Sequence, residues 1–197
     1  MISKESIDKI MQIPGNVRGG IIQADLNVIQ KKEGKRGIEA VIKKMTEFGY
    51  SVDAKKIKLG GWYPEALSVS IILIARDLFS WREKDIFDMG YYAPASSFIS
   101  KILMRYFLSL KRFLAEVPSY WRKHFDFGQL EVYDFSEKKQ YIILREKGYK
   151  FHPLMCVYHK GYYLRVAEFA IKGLNITIEE TKCMFKGAPY HEYIIRW

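Results

Sequence analysis

The residues best suited to chemistry in this 197-residue sequence are two cysteine–histidine pairs in its last third. Cys156 and His159 are three residues apart in a helix-like stretch, so one helix face would carry both side chains. Cys183 and His191 flank a predicted three-residue loop, residues 186–188, which would place their Cβ atoms about 5 Å apart on neighbouring strands. Structural zinc takes four such ligands. The sequence therefore offers a candidate zinc site, with the alternative that both cysteines are small, buried apolar residues.

A thiol next to an imidazole is also the arrangement of a nucleophilic catalyst. Such a catalyst needs a third group that orients the histidine and a site for an oxyanion, and the sequence identifies neither. It also contains no Gly-x-Ser-x-Gly, no phosphate-binding glycine loop and no His-Glu-x-x-His motif. We therefore predict that the protein is not an enzyme.

Four strands and one helix are predicted to position these pairs. The β-rich runs occupy residues 129–135, 139–146, 174–185 and 189–197. The first two flank a short polar turn and the last two flank residues 186–188, so each pair is typical of a hairpin. Residues 152–172 are mostly apolar with one polar stripe at helical spacing, and Pro153 and Gly173 suit the start and the end of a helix. The last third is therefore predicted to be ββαββ.

The preceding part of the chain is predicted to be helical. Helices are expected over residues 4–12, 21–32, 38–48, 64–81 and 96–116, with a short turn at 85–89 and a loop at 90–94. Pro118 is expected to end the longest helix. The predicted fold class is thus α+β, with several N-terminal helices packed on a four- to five-stranded antiparallel sheet. Residues 1–16 are predicted to be a short helical appendage and residues 17–197 a single domain.

Charge and hydropathy exclude several classes of partner. The net charge of +10 is dispersed, with 12 basic and 7 acidic groups in residues 1–60, 9 and 7 in 61–127, and 11 and 8 in 128–197. This distribution does not resemble the concentrated basic patch of a nucleic-acid binder, so no specific nucleic-acid partner is expected. The most apolar run, residues 66–75, is shorter than the ~20 residues that span a bilayer. Two cysteines and no secretory signal predict a cytoplasmic protein.

Aromatic residues are abundant, at 15% of the sequence, and several fall within the predicted helices. The candidate pocket residues are Tyr106, Phe107, Tyr158, Tyr162 and Phe169. They would line an apolar cavity between the helices and the sheet, with tyrosine hydroxyls orienting the polar end of a ligand. The alternative is ordinary core packing.

Short motifs over residues 17–197 resemble the vinyl-reductase, or hydrocarbon-binding, domain superfamily. They are Val17-Arg18-Gly19-Gly20 with Gly34, Trp62-Tyr63-Pro64, Gly161, and the ending Cys183-x-x-x-Gly187-x-Pro189-x-His191-Glu192-Tyr193-x-Ile195. That superfamily also holds the haem nitric-oxide-binding sensors and the Bet subunits of the TRAPP vesicle-tethering complex. The resemblance implies a helical layer on an antiparallel sheet, with an internal cavity for haem, an acyl chain or another apolar ligand.

Each use of this fold implies different residues. The haem sensors carry a proximal histidine and a Tyr-x-Ser-x-Arg string; the string is absent and His124 lies in no haem motif, so haem is not expected. The tethering subunits acylate an early cysteine, and no cysteine precedes Cys156. Hydrocarbon-binding domains often have two cysteines across the final hairpin, where this chain has Cys183 and His191.

The resulting prediction is a non-catalytic sensory domain that holds an apolar small molecule or lipid in an internal cavity, as a homodimer or with a related protein subunit. The alternative is a TRAPP-like scaffold or tethering protein that dimerises through the broad apolar helices at residues 64–81 and 95–116.

Overall fold

The structure, a computed structural model, describes residues 2–96, 110–171 and 175–197. Its helices are α1 (Lys4–Met11), α2 (Gly19–Glu47), α3 (Glu65–Leu78), α4 (Glu83–Ser96), α5 (Leu110–His124) and α6 (Leu154–Ala170). Its strands are β1 (Asn16–Arg18), β2 (Trp62–Pro64), β3 (Gln129–Ser136), β4 (Tyr141–Lys147), β5 (Thr177–Lys182) and β6 (His191–Arg196). The predicted order of helices followed by ββαββ is confirmed.

The C-terminal strands form one antiparallel sheet in the order β3-β4-β6-β5, while β1 and β2 pair separately. Two hairpins, β3-β4 and β5-β6, therefore meet through β4 and β6, with register pairs such as Leu144–Tyr193. Helices pack on this sheet, and the core between them includes Ile142, Tyr193 and Ile195. The predicted α+β class and the antiparallel sheet are confirmed.

Helix α3 is buried on nearly every face. Ten of its 14 residues are buried, all between Glu65 and Ala75. Helix α1 also reaches the core, because Ile7 and Ile10 are buried. Among the described helices, none has both the length and the apolar content needed to cross a lipid bilayer.

Glycine determines how closely helices α4 and α6 approach each other. A Cβ on Gly161 would lie 2.0 Å from the carbonyl oxygen of Phe87, and one on Gly90 would lie 1.9 Å from that of Tyr158. No real Cβ fits at these distances, so each glycine lets its own helix contact the backbone of the other. Helix α6 is held tightly against α4 as a result.

The predicted break between the helices at 21–32 and 38–48 corresponds to Gly34, whose φ of 71° and ψ of −174° interrupt α2 with a kink. Two other helix boundaries differ from the prediction. Residues 85–94, predicted as a turn and a loop, belong to α4, and Pro118 lies inside α5 and does not end it. In α4 the buried Ile86, Met89 and Ala93 follow helical spacing, so burial of this face outweighs the local loop signals. In α5 the buried Trp121 follows Pro118 on the inner face. Most of the predicted helix over 96–116 lies outside the described residues.

Candidate functional site

Two groups of side chains stand out, and the first is a cluster of potential metal ligands at one end of the sheet. Cys156 lies in the first turn of α6, Glu180 on β5, Cys183 directly after β5, and His191 at the start of β6. Their ligand atoms all lie within 4.8 Å of one another. Cys156, Cys183 and His191 are buried, and Glu180 is mostly buried.

Two of three distances in this cluster match the edges of a zinc coordination tetrahedron. Zn–S bonds of about 2.3 Å and Zn–N or Zn–O bonds of about 2.1 Å imply edges of about 3.8 Å for S–S, 3.6 Å for S–N and 3.4 Å for N–O. The two Sγ atoms are 3.8 Å apart and Cys156 Sγ is 3.6 Å from His191 Nδ1, whereas His191 Nδ1 is closer to Glu180 Oε1, at 3.1 Å. The cluster is therefore close to the spacing of a two-cysteine, one-histidine, one-carboxylate zinc site.

The histidine of the cluster is oriented by the backbone. Nε2 of His191 donates to the carbonyl oxygen of Tyr149 at 3.0 Å. Because a carbonyl only accepts, Nε2 carries a hydrogen, and Nδ1 is the ring nitrogen that faces Cys156 and Glu180. A metal bound through Nδ1 would replace any hydrogen that Nδ1 donates to Glu180.

Three of the four residues predicted for a zinc site come together in this cluster, and the fourth does not. His159 lies on the side of α6 that faces β4, where its Nδ1 donates to Glu146 at 3.0 Å. In the cluster, Glu180 stands where His159 was predicted. The predicted three-residue loop is also wrong, because β5 ends at Lys182 and residues 183–190 connect it to β6 through a 3₁₀ turn. A register shift between Glu180 and Lys182 still brings Cys183 next to His191.

The thiol chemistry of the cluster does not favour a nucleophile. Burial, together with the charge of Glu180, raises the pKa of the Cys156 thiol. A free Cys156 is therefore protonated at neutral pH, whereas a catalytic cysteine is held as the thiolate.

The second group surrounds a cavity between α5, α6 and the sheet, with a volume of about 90 Å³. Most of its wall is apolar and comes from Ile21, Phe113, Leu114, Val117, Trp121, Phe125, Leu130, Ile142, Leu144, Met155, Val166, Ala167 and Ile195. Its polar members are Glu65, Ser68, Glu116, Tyr120, Tyr158, His159, Tyr162 and Tyr163. An apolar body with a few polar groups is the usual composition of a small-molecule site.

Asp25 and its partners form the first of three buried acid groups near this cavity. Asp25 is fully buried and accepts hydrogen bonds from Ser68 Oγ at 2.7 Å and Tyr158 OH at 2.5 Å. Burial raises the pKa of Asp25 to about 6, although the hydrogen bonds from Tyr158 and Ser68 oppose the rise.

Glu65 is the second buried acid, at the first position of α3. Its Oε1 accepts a short hydrogen bond from Tyr149 OH, while its Oε2 has no partner among the described residues. Burial raises the pKa of Glu65 to about 8, and the nearby Asp25 and Glu146 add to the rise. The free protein therefore holds Glu65 mostly protonated at neutral pH.

Glu146, on β4, is the third buried acid. Its Oε2 accepts from His159 Nδ1 at 3.0 Å and from Tyr163 OH at 3.2 Å. The hydrogen bond to a carboxylate places the proton of His159 on Nδ1 and leaves Nε2 as the nitrogen with a lone pair.

The predicted pocket residues have different places in the structure. Tyr158 and Tyr162 line the cavity, and the hydroxyl of Tyr162 is 2.9 Å from that of Tyr120. Phe169 is not part of the described wall; its ring lies 4.6 Å below the guanidinium of Arg165. Tyr106 and Phe107 lie outside the described residues.

Sequence reasoning missed the acids of both sites. Asp25 had a usable signal, since it lies between Ile22 and Ile29 on the apolar face of α2, where a solvated acid is not expected. Glu65 had none, because an acid in the first turn of a helix is normally a favourable surface residue. Glu180 and Cys183 are three residues apart, a spacing that puts two side chains on opposite faces of a regular strand. Only the register shift in β5 brings both into the metal cluster.

Several solved structures with a similar fold are H-NOX structures. An H-NOX protein from S. oneidensis in the Fe(II)NO ligation state matches with a TM-score of 0.68 and 14% identity, over 91% of this chain and 98% of that one. An oxygen-binding H-NOX domain related to soluble guanylate cyclases, in its oxygen complex, matches with a TM-score of 0.64 and 13% identity, over 91% and 94%. This chain has the H-NOX fold.

A third similar structure, described for modulation of haem redox potential through porphyrin distortion, has a TM-score of 0.64 and 12% identity, over 91% of this chain and 99% of that one. No protein-family model matches the sequence, and no curated protein matches it. The predicted relation to haem nitric-oxide-binding sensors is confirmed at the level of the fold. The vinyl-reductase and TRAPP resemblances remain predictions.

The expectation that haem would not bind is wrong, because solved structures with this fold include a haem-containing one. By residue type His159 fits the role of an axial haem ligand, because it lies on the cavity wall and its Nδ1 contacts Glu146.

Proposed function

We propose that this chain is a non-catalytic sensory domain that holds an apolar small molecule or lipid in the cavity between α5, α6 and the sheet. The cavity itself carries the proposal, because its mostly apolar wall would gain about 25 cal/mol for each Å² of ligand surface that it removes from water. Tyr120, Tyr158 and Tyr162 would orient the polar end of the ligand.

We further propose that Cys156, Glu180, Cys183 and His191 hold a structural zinc ion. The support is the agreement of the S–S and S–N distances with the edges of a zinc tetrahedron, together with the orientation of His191 by the carbonyl oxygen of Tyr149. All four positions are occupied by protein, which is typical of a structural and not a catalytic zinc. The ion would connect the start of α6 to the β5-β6 hairpin.

The competing scaffold function receives less support from the described residues. It requires broad apolar helix faces at the surface, whereas α3 is already buried within the chain. The large hydrophobic residues that are exposed, including Leu59, Leu78 and Tyr133, are scattered. Homodimerisation remains a prediction.

Haem is a second candidate ligand, and the His159–Glu146 pair specifically favours it. When bound, the group would supply an iron that takes a diatomic gas. His159 would hold the iron and Glu146 would keep the imidazole ring in place. The test is titration of hemin into the protein: a Soret band that is lost in His159→Ala but kept in His152→Ala would establish this ligand.

The cavity can be tested with one matched pair of substitutions on α6. Val166 lines the cavity and Val157 does not, and both side chains are half-buried. Val166→Phe is expected to reduce binding of an apolar fluorescent probe at least tenfold, and Val157→Phe to leave it within twofold. Equal loss in both variants would refute the assignment of this cavity as the binding site.

Native mass spectrometry beside a denatured sample tests the remaining parts together. It reports the oligomer mass, any zinc, and any apolar molecule that co-purifies with the chain. A mass excess that disappears on denaturation would identify the class of the natural ligand.

A further inference from the structure

The carboxyl group of Glu65 has one oxygen that the protein leaves without a partner. Glu65 is 2% exposed and lines the cavity, and its Oε1 is used by Tyr149. Its buried Oε2 makes no hydrogen bond to any described residue. A buried polar atom without a partner is destabilising, so the position of this oxygen in a ligand cavity indicates that a ligand group completes it.

The buried surroundings of Glu65 contain several acids but neither lysine nor arginine among the described residues. The buried polar and charged residues of the described chain are Asp25, Glu65, Ser68, Ser70, Glu146, His159, His191 and Glu192. This set contains four carboxylates and neither lysine nor arginine. Glu192 pairs with Arg145 at 2.7 Å and Glu146 contacts His159 at 3.0 Å, whereas no basic side chain contacts Asp25 or Glu65 among the described residues.

The other two acids are already engaged. Asp25 accepts from Ser68 and Tyr158. Glu146 also has an unpartnered Oε1, but Glu146 is not part of the described cavity wall. Glu65 is therefore the acid that presents a free oxygen to a bound molecule.

We propose that the cavity ligand is an apolar amine whose protonated nitrogen donates to Oε2 of Glu65. The inference rests on the proposed ligand-binding function and names the chemical class of the ligand. An ammonium group would displace the proton of Glu65 and donate to the ionised Oε2, while an alkyl or aryl body would contact the apolar wall. A carboxylate ligand would instead bring a further negative charge to a cavity near which the described buried residues include neither lysine nor arginine.

Proton release gives a quantitative signature of this pairing. With a pKa of about 8, Glu65 in the free protein is about 90% protonated at pH 7. An ammonium ligand pairs with the ionised carboxylate, so binding should release about 0.9 proton to solvent. The titratable groups that face Glu65 are Asp25, Glu146 and the hydroxyls of Tyr149 and Tyr158.

The test is calorimetric titration of hexylamine, hexanol and hexanoate into the full chain at pH 7. Hexylamine should bind at least tenfold more tightly than hexanol, and hexanoate should bind more weakly than both. The heat of hexylamine binding should differ between phosphate and Tris, because the two buffers take up the released proton, about 0.9 per binding event, with different heats. Glu65→Gln should lower hexylamine affinity at least tenfold and leave hexanol within twofold. Glu116→Gln, the same change at the exposed rim of the cavity, should alter neither.

The outcomes separate this inference from the proposed function. Hexanol binding as tightly as hexylamine, or hexylamine binding without proton release, would overturn the inference and leave the apolar cavity in place. Failure of all three probes, together with failure of the fluorescent probe, would count against the cavity function itself. The proton count uses the wild-type chain, so the inference remains testable even if Glu65→Gln does not fold.

Discussion

Replacing Glu65 with glutamine should remove a large part of the pH dependence of stability. Burial holds the pKa of Glu65 at about 8 in the folded chain, against 4.5 for an exposed glutamate. Below pH 4.5 both states are protonated. Between pH 4.5 and 8 the unfolded chain ionises while the folded chain keeps its proton, so the free energy of unfolding falls as the pH rises.

The magnitude follows from the difference in pKa. The two values differ by 8 − 4.5 = 3.5 units, and each unit corresponds to 1.36 kcal/mol, so Glu65 alone should cost the wild type about 5 kcal/mol between pH 4.5 and 8. Above pH 8 both states are ionised and this cost stays constant. Glutamine has nearly the same volume and cannot ionise, so the variant lacks the whole contribution.

The assay is urea unfolding of wild type and Glu65→Gln at pH 5, 6, 7, 8 and 9, followed by the fluorescence of the buried Trp81 and Trp121. Subtracting the two free energies cancels the titrations that both proteins share. The difference, wild type minus variant, should fall by about 1.4 kcal/mol per pH unit up to pH 8 and then level off. A difference that does not change with pH would refute the reasoning that Glu65 is buried and protonated.

Three further predictions test other parts of the structure. Because burial raises the pKa of Asp25 to about 6, the wild type should lose about 3 kcal/mol of stability as the pH rises from 3.8 to 6, and Asp25→Asn should lack this loss in the same urea assay. An unchanged pH profile would argue against the burial of Asp25. Gly161→Ala should destabilise the fold by about 1–3 kcal/mol, because its methyl group meets the backbone of Phe87; a thermal midpoint equal to wild type would contradict the close helix crossing. Cys183→Ser, or chelation of the wild type, should lower bound zinc from one ion per chain and reduce the thermal midpoint; full zinc content in the variant, measured by elemental analysis, would remove Cys183 from the site.

Most of the fold follows from local sequence patterns. The ββαββ end is predictable because alternating strands, a helix bounded by Pro153 and short turn signals agree with each other. The errors occur where tertiary packing outweighs a local signal. Pro118 should end a helix, but the chain keeps burying Trp121 on the same face, and residues 85–94 contain loop-forming residues that still follow a buried helical stripe.

The sites were less predictable, for a different physical reason. Pairing Cys183 with His191 depended on a loop length that is wrong, and it succeeded only because a register shift in β5 compensates. Glu180 and Glu65 become functional through burial, which depends on elements far away in the sequence. Tyr158 and Tyr162 could be predicted because the inner face of a helix can be recognised from the sequence, and aromatic residues on that face favour a cavity wall.

Helix α6 contains Cys156 of the metal cluster, Tyr158 and His159 of the cavity wall, and Gly161 at the close crossing with α4. A zinc ion and a cavity ligand would therefore both act on one rigid body. Thermodynamic reciprocity then requires that any factor by which zinc changes the affinity for the ligand is also the factor by which the ligand changes the affinity for zinc. The zinc content of a sample thus becomes a variable of every binding measurement, and the release of zinc becomes a second way to measure occupancy of the cavity.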